Sequence, residues 1–395
     1  MFTKVNGVST LTRFSLAGLL ILSFVLSSSM SASAQSSDPG AGAEAKPLAQ
    51  PTNNLVVSKR VSLAEQNNAL AFWTRDTIAA AQPLVMPTDA GSAIAEPAAF
   101  ESQSVSGPAG FSAPGTAEAD AVKVAMAAYA SDWAAPVEAA SDQIAAADVP
   151  AGTSQAYTSY DVNRYTGLWK IYPLIWIGRL SFQTSGGTSY CSATAISGNN
   201  FVTAAHCVYD STNNRWHSGW AFSPAYRNGT TPYGTFAATV CTILTDWINL
   251  SGNFSINGWT KYDVAVCSVG KNSAGQTLNG AVGFAGREWN FGYVRNHHDL
   301  GYPFRDYNLT ALTDAGLYLR LCTAESFQQT TDTLGMGCNW GPGISGGPWM
   351  TGFAPNVVSG RVNSVNSGLF QGIANLYGIR FTSSNIVPIC TVRAC

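Results

Sequence analysis

All eight cysteines of this 395-residue chain lie in its last 205 positions. An even number of cysteines in an exported domain indicates a disulfide framework of up to four bridges. No pair of cysteines shows the clustered Cys/His spacing of a zinc site, so we expect no bound metal. The sequence alone leaves the pairing open. The cysteines are Cys191, Cys207, Cys241, Cys267, Cys322, Cys338, Cys390 and Cys395.

The N-terminus has the features of a secretory signal peptide. Lys4 and Arg13 supply positive charge, Phe14–Leu26 forms an apolar run, and small residues lead up to Ala34. The apolar run is too short to span a bilayer comfortably, which argues against a transmembrane anchor. We therefore expect residues 1–34 to be removed and the protein to be secreted, with no membrane contact afterwards.

Residues 35–160 are rich in Ala, Pro, Ser and Gln and contain neither Cys nor His. Ser62 and Glu65 have the spacing of a capping box and predict a helix after them. A second apolar helical face precedes Pro136, and the low-complexity stretches between are predicted to be disordered. The segment is interpreted as a propeptide; a spacer with no role in folding or inhibition is the alternative. The second helical face comprises Val122, Met126, Tyr129 and Trp133.

Residues 161–395 consist of short β-like runs separated by Gly, Asn and Pro, a pattern typical of a β-barrel or sandwich. About 235 residues suffice for two small barrels with one cleft between them. Lys and Arg number 21 against 23 Asp and Glu, a net charge of −2. This balance gives no electrostatic footprint for nucleic acid or for an anionic membrane.

Three short motifs carry candidate catalytic residues in the order His, Asp, Ser: "TAAHC" with His206, "YDVAV" with Asp263 and "GISGGP" with Ser345. A serine hydroxyl needs a base to accept its proton, and an imidazole titrates in the right range. A carboxylate orients that imidazole and stabilises its charged form. The glycines allow the amides of Gly343 and Ser345 to form an oxyanion hole.

These motifs resemble the chymotrypsin/trypsin-like serine proteases over roughly residues 165–395. "IGRLSF", "CSATAIS", "NFVTAAHC" and "GCNWGPGISGGPW" look most like the secreted glutamyl-endopeptidase-like bacterial branch. The resemblance implies an all-β fold of two six-stranded antiparallel barrels with the triad between them. It implies a secreted endopeptidase that acts on protein or peptide substrates through an acyl-enzyme. We expect a monomer that needs no cofactor.

Two departures from the resembling family concern activation and specificity. Ile344 stands where trypsin-like members carry an Asp that pairs with a newly freed N-terminus, which favours activation by removal of residues 35–160 instead. Asn339 stands six residues before Ser345, where an acid would select Arg or Lys, and no histidine follows Ser345 to select Glu.

An uncharged substrate pocket is therefore expected. We assign Asn339, Val362, Asn363 and Ser364 to its wall, and expect Asn363 or Ser364 to bond to Asp263.

The resemblance also implies a Cys191–Cys207 disulfide beside the catalytic histidine. We expect Cys322–Cys338 because it would brace the loop that leads to the oxyanion hole. Cys241–Cys267 and Cys390–Cys395 are the remaining pairs.

Three alternatives remain at this point. The same triad could hydrolyse esters, or the chain could be an inactive protease homologue that binds proteins or surfaces. "HHD" at residues 297–299 could bind a metal, although a solvated loop is the simpler interpretation.

Overall fold

The computed structural model describes residues 55–86, 88–89, 107–117, 155–162, 168–250, 260–355 and 357–395. The predicted signal peptide and the second predicted helix before Pro136 lie outside these ranges. None of the helices within them combines the length and the apolar character needed to cross a membrane.

The elements before residue 165 are short. Helix α1 follows the predicted capping box, because the Ser62 side chain accepts from the Glu65 amide and the Glu65 carboxylate accepts from the Ser62 amide. This prediction is confirmed. The elements are β1 (Val56–Arg60), α1 (Leu63–Phe72), α2 (Arg75–Ala80), β2 (Gln82–Pro83), β3 (Thr88–Asp89), β4 (Gly110–Ser112) and β5 (Tyr157–Asp161).

The first barrel is closed by six antiparallel strands in the order β12-β11-β6-β7-β8-β13, with β13 pairing back onto β12. Its interior holds large aromatic side chains, among them Phe182, Phe201 and Phe222, all fully buried. Strands β9 and β10 form a separate ribbon. The strands of this half are β6 (Ile177–Thr184), β7 (Gly187–Ile196), β8 (Asn200–Thr203), β9 (Tyr209–Asp210), β10 (Arg215–Trp216), β11 (Ser218–Pro224), β12 (Phe236–Leu244) and β13 (Ala265–Val269).

The second barrel is also closed by six antiparallel strands, in the order β18-β15-β16-β17-β20-β19, with β19 pairing back onto β18. The predicted pair of six-stranded antiparallel barrels is therefore confirmed. The strands of this half are β14 (Gly286–Trp289), β15 (Asn296–Gly301), β16 (Arg320–Gln328), β17 (Thr333–Gly337), β18 (Pro348–Thr351), β19 (Arg361–Phe370) and β20 (Asn375–Ile379).

Short helices connect or flank the barrels. The α-helices are α3 (Thr245–Asn249), α4 (Leu278–Val282) and α5 (Ile386–Arg393). One-turn 3₁₀ helices occur at Leu168–Lys170, Leu174–Trp176, Ala205–Cys207 and Thr260–Tyr262.

The described parts of residues 35–160 pair with both barrels. Strand β1 adds to β12 of the first barrel, and β2 pairs with β7. Strand β4 adds to β14, β5 pairs with β16, and β3 pairs with β19 of the second barrel. The Trp73 indole, which is buried, donates to the Gly219 carbonyl at 2.6 Å. These pieces are therefore docked on the barrels in the full chain.

Candidate active site

His206 and Asp263 are in direct contact. His206 lies in the 3₁₀ turn after β8, Asp263 lies two residues before β13, and β8 pairs with β13. The His206 ring atom Nδ1 is 2.7 Å from Asp263 Oδ2, and the His206 backbone amide donates to Asp263 Oδ1 at 2.9 Å. Asp263 is fully buried and His206 nearly so. The two bonds fix the imidazole with Nε2 directed away from the carboxylate.

Asp263 has a third partner on the other barrel. The Ser367 hydroxyl on β19 donates to Asp263 Oδ2 at 2.5 Å. We expected Asn363 or Ser364 in this role, and that expectation was wrong. Asn363 lies four residues earlier on the strand, about 13 Å away at the usual rise of a strand. Its side chain bonds instead to His297 at 2.8 Å.

Ser345 comes from the loop between β17 and β18 of the second barrel. Its side chain is fully buried, and its Oγ has no hydrogen-bond partner among the described residues. The next residue, Gly346, has φ +76° and packs so closely that a Cβ would lie 2.8 Å from the Ala204 nitrogen and would overlap the Thr203 hydroxyl. The serine loop is thus packed against the residues that lead directly into His206.

Ser192 on β7 braces this loop from the first barrel. Its amide donates to the Ser345 carbonyl at 2.7 Å. Its hydroxyl donates to the Gly343 carbonyl at 3.0 Å and accepts from the Tyr302 amide at 2.9 Å. Sequence reasoning missed this residue, although it directly follows Cys191 and lies in the quoted "CSATAIS" motif.

The amides of Gly343 and Ser345 form a pair of unused donors. Gly343 adopts φ +101°, which favours glycine, and its carbonyl is turned to Ser192. Within the described ranges neither amide donates a hydrogen bond to another protein group. The predicted oxyanion hole requires two N–H groups of this kind, which no acceptor in the described part of the chain occupies.

Ile344 is fully buried in an apolar cluster that includes Met336, Cys338 and Trp349. Its carbonyl accepts from the Gly347 amide at 2.8 Å, which closes a tight turn around Ser345. The side chain stabilises the loop by apolar contact rather than by an ion pair.

A buried acid lies behind the same loop. Asp299 on β15 is fully buried, and burial raises the pKa of its carboxyl group well above the usual value. Asn366 donates from Nδ2 to Asp299 Oδ1 at 2.5 Å and to the Ile344 carbonyl at 3.5 Å. The predicted solvated loop at "HHD" is therefore wrong, because these residues belong to a buried strand of the barrel.

The four residues expected to line the substrate pocket lie on two different elements of the second barrel. Asn339 is half-buried, and its carbonyl accepts from the Tyr307 amide at 3.1 Å. Val362 and Ser364 are fully buried, and with Asn363 they occupy the half of β19 that precedes Ser367. Among these four, Asn339 is the one carried by the loop that contains Ser345.

His217 lies beside His206, and the two residues border the same cavity. It contacts the His206 carbonyl through Nε2 at 3.2 Å and stacks on Phe182 with ring centroids 5.1 Å apart. Burial lowers the pKa of His217 to about 4. The side chain is therefore neutral at pH 7 and places no second positive charge beside His206.

No family model matches the chain, and no curated protein matches it. Among solved structures it is similar to the protease Anisep from Arthrobacter nicotinovorans, with 28% identity and a TM-score of 0.48 over 56% of this chain and 95% of that chain. A thermostable serine protease, AL20, from an extremophilic microorganism has 25% identity and a TM-score of 0.43 over 53% and 93%. A Glu endopeptidase has 16% identity and a TM-score of 0.46 over 60% and 97%. With TM-scores below 0.5, these similarities do not assign a function by themselves.

The strand order of the two closed barrels identifies the fold of this chain. The fold is chymotrypsin-like. In this chymotrypsin-like fold four disulfides join the cysteines in the pairs expected above, and the described chain has no free cysteine. The bridges are Cys191–Cys207, Cys241–Cys267, Cys322–Cys338 and Cys390–Cys395.

One group of metal-ligand types occurs in the described part of the chymotrypsin-like fold: Cys191, His206 and Cys207. The two sulfurs form a disulfide with each other. They are therefore not thiolates, which are the form of cysteine that ligates metals.

Proposed function

We propose that the chain is a secreted serine endopeptidase that cleaves peptide bonds through His206, Asp263 and Ser345. The observation that carries this proposal is the pair of hydrogen bonds that joins Asp263 to the His206 ring and amide. Beside them, the serine loop is packed against Thr203 and Ala204, which directly precede the turn that contains His206. Fold alone does not imply a reaction, so the proposal depends on these side chains.

Each group has a defined task in the proposed reaction. Ser345 Oγ attacks the carbonyl carbon of the scissile bond while His206 Nε2 accepts the hydroxyl proton. Asp263 holds the proton on Nδ1 and stabilises the imidazolium that forms. The amides of Gly343 and Ser345 donate to the developing oxyanion, and loss of one such donor typically costs about 2.7–4 kcal/mol of barrier stabilisation.

The second half of the reaction reuses the same groups. The imidazolium donates its proton to the leaving amine, and the amine departs with the C-terminal part of the substrate. A water molecule, deprotonated by His206, then attacks the acyl-enzyme ester and regenerates Ser345. No metal or cofactor takes part in these steps.

Secretion and proteolytic maturation complete the proposal. The apolar N-terminal run and the four disulfides support export to an oxidising compartment. The docking of β1 to β5 onto the barrels supports a propeptide role for residues 35–160 rather than that of a spacer.

The test is peptide hydrolysis by the mature protein secreted from a host that expresses the full chain. We expect cleavage of a mixed peptide library, with kcat falling by a factor of about 10⁶ in Ser345→Ala. Ser181→Ala removes another buried serine hydroxyl, one on β6 that has no assigned role, and is the matched control, with activity unchanged. Hydrolysis of esters without peptides would support the esterase alternative, and no hydrolysis of either would support an inactive homologue.

A further inference from the structure

Residues 81–84 contact the first barrel, and residues 88–89 pair with the second. The buried Arg179 guanidinium donates to the Ala81 carbonyl at 2.8 Å. Strand β2 pairs with β7, and the Leu84 amide donates to the Tyr190 carbonyl at 3.0 Å. Strand β3 then pairs with Leu369 and Phe370 of β19. Backbone hydrogen bonds thus hold the segment at both of its ends.

Both ends of this segment lie next to residues that neighbour the candidate active site. Tyr190 directly precedes Cys191, whose disulfide partner Cys207 is the neighbour of His206. The β3 contact on the second barrel begins two residues after Ser367, the partner of Asp263. A cavity of about 500 Å³ is bordered by both Leu84–Met86 and His206.

The chemistry of the site sets the direction in which a substrate must lie. His206 belongs to the first barrel and protonates the leaving amine, so the C-terminal part of a substrate lies along the first barrel. The acyl carbonyl meets the amides of Gly343 and Ser345, so the N-terminal part lies along the second. Residues 82–89 have the opposite arrangement, because their N-terminal part is paired with the first barrel and their C-terminal part with the second. Both pairings are parallel.

Met86 anchors the middle of the segment. Its side chain is fully buried in an apolar cluster of the second barrel, whereas the preceding Val85 is 79% exposed. It is the same cluster that buries Ile344, and it contains Leu369, two residues after Ser367. Its aromatic and aliphatic members include Trp340, Trp349, Leu369 and Leu376. An unbranched, flexible thioether side chain fills an irregular apolar pocket of this kind well.

We propose that residues 82–86 and 88–89 belong to a built-in inhibitor that occupies the substrate cleft in reverse, with Met86 in the pocket that receives the substrate side chain on the acyl side of the scissile bond. The proposal rests on the proposed function. It assigns to the mature enzyme a preference for Met-like and Leu-like side chains at that position. Because the segment lies in the wrong direction for attack, it blocks the site without being cut there.

The first test measures the rate at which a fluorophosphonate labels Ser345 in the full, unprocessed chain. Met86→Asp places a carboxylate in the apolar pocket and should raise the labelling rate about tenfold or more, because opening of the segment becomes easier. Val85→Asp adds the same charge at the exposed neighbour and is the matched control, with no change. Met86→Leu should keep the slow rate of the wild type. Equal rates for Met86→Asp and Val85→Asp would overturn the proposal.

The second test uses a synthetic peptide of residues 80–90 with Pro87 replaced by Ala, so that no proline protects the bond after Met86. The peptide should inhibit the mature enzyme competitively and remain intact by mass spectrometry, and Met86→Asp in the peptide should abolish inhibition. Cleavage after Met86 would show that the segment binds as a substrate and would overturn the reverse direction.

A cleavage profile of the mature enzyme completes the experiment. The proposal predicts Met and Leu on the acyl side, and a preference for charged side chains there would contradict it. Failure of the proposed function is distinguishable, since in that case neither the mature nor the unprocessed protein would label at Ser345.

Discussion

The Ser367 hydroxyl donates to Asp263 Oδ2, the same oxygen that contacts His206 Nδ1, although 104 residues separate the two side chains in the sequence. The bond crosses from the second barrel to the first. It therefore couples the orientation of the imidazole to the relative position of the two barrels.

Ser367→Ala removes one donor from this buried carboxylate. A hydrogen bond to a charged group contributes about 1.5–3 kcal/mol, so we expect kcat to fall about tenfold to a hundredfold. Steady-state kinetics of the mature enzyme measure the effect. Ser367→Thr keeps the hydroxyl and should recover most of the activity. An unchanged kcat in Ser367→Ala would show that Asp263 needs no third donor.

Ile344→Asp places a carboxyl group in the apolar cluster behind the serine loop. Burial of an unpaired polar group costs at least about 2 kcal/mol, so the variant should unfold at lower urea concentration than the wild type. Ile344→Val, which removes one methylene group, should cost only about 1 kcal/mol. Greater stability in Ile344→Asp would reveal a buried cation that pairs with the new acid, and would restore activation by an inserted N-terminus.

We expect the contribution of the Asp299 carboxyl group to the free energy of unfolding to fall as pH rises. Its pKa is raised in the folded state, whereas an unfolded Asp titrates near pH 3.9. Above about pH 4 the folded state therefore retains a proton that the unfolded state has lost, and this contribution to stability declines until the folded pKa is passed.

Asp299→Asn removes that proton equilibrium and keeps an oxygen for the Asn366 amide. Urea unfolding at pH 4.5 and at pH 7.5 measures the free energy of unfolding of the variant minus that of the wild type. This difference should be more positive at pH 7.5 than at pH 4.5. Asp246→Asn changes an exposed acid and should show no such difference. A parallel pH response of wild type and Asp299→Asn would contradict the account.

The Cys322–Cys338 disulfide braces the strand that leads into the serine loop. Its 16-residue separation corresponds to about 3 kcal/mol in the chain-entropy model, whereas Cys390–Cys395 spans only 5 residues. Replacing both members of the first pair by Ser should lower Tm more than the same change in the second. An equal loss of Tm in thermal unfolding would show that loop closure is not the source of the stabilisation.

The two barrels and the order of the candidate catalytic residues could be predicted, because short motifs with strict local chemistry carry them. His206, Asp263 and Ser345 each lie beside a strand whose pattern is visible in the sequence. The helix after Ser62 was predictable for the same reason, since a capping box is a contact between residues three apart.

The contacts that complete the site depend on strand register, which the sequence does not state. On β19 the pairing shifts between Asn366 and Gly368, and it is Ser367, not Asn363 or Ser364, that faces Asp263. Such an irregularity changes which side chain meets the partner barrel.

The pairing of residues 82–83 and 88–89 with the barrels could not be predicted from the sequence either. "QPLVMPTD" contains two prolines and no regular periodicity, so it indicates a loop. Its pairing with β7 and β19 is tertiary and becomes visible only once both barrels are in place.

The most direct measurement of the catalytic claim is the mass-spectrometric location of a fluorophosphonate adduct on the mature enzyme. The account predicts one adduct on Ser345, and its loss in His206→Ala, because the hydroxyl is nucleophilic only beside its base. A folded, mature protein that gives no adduct, or an adduct at another serine that persists in His206→Ala, would contradict it.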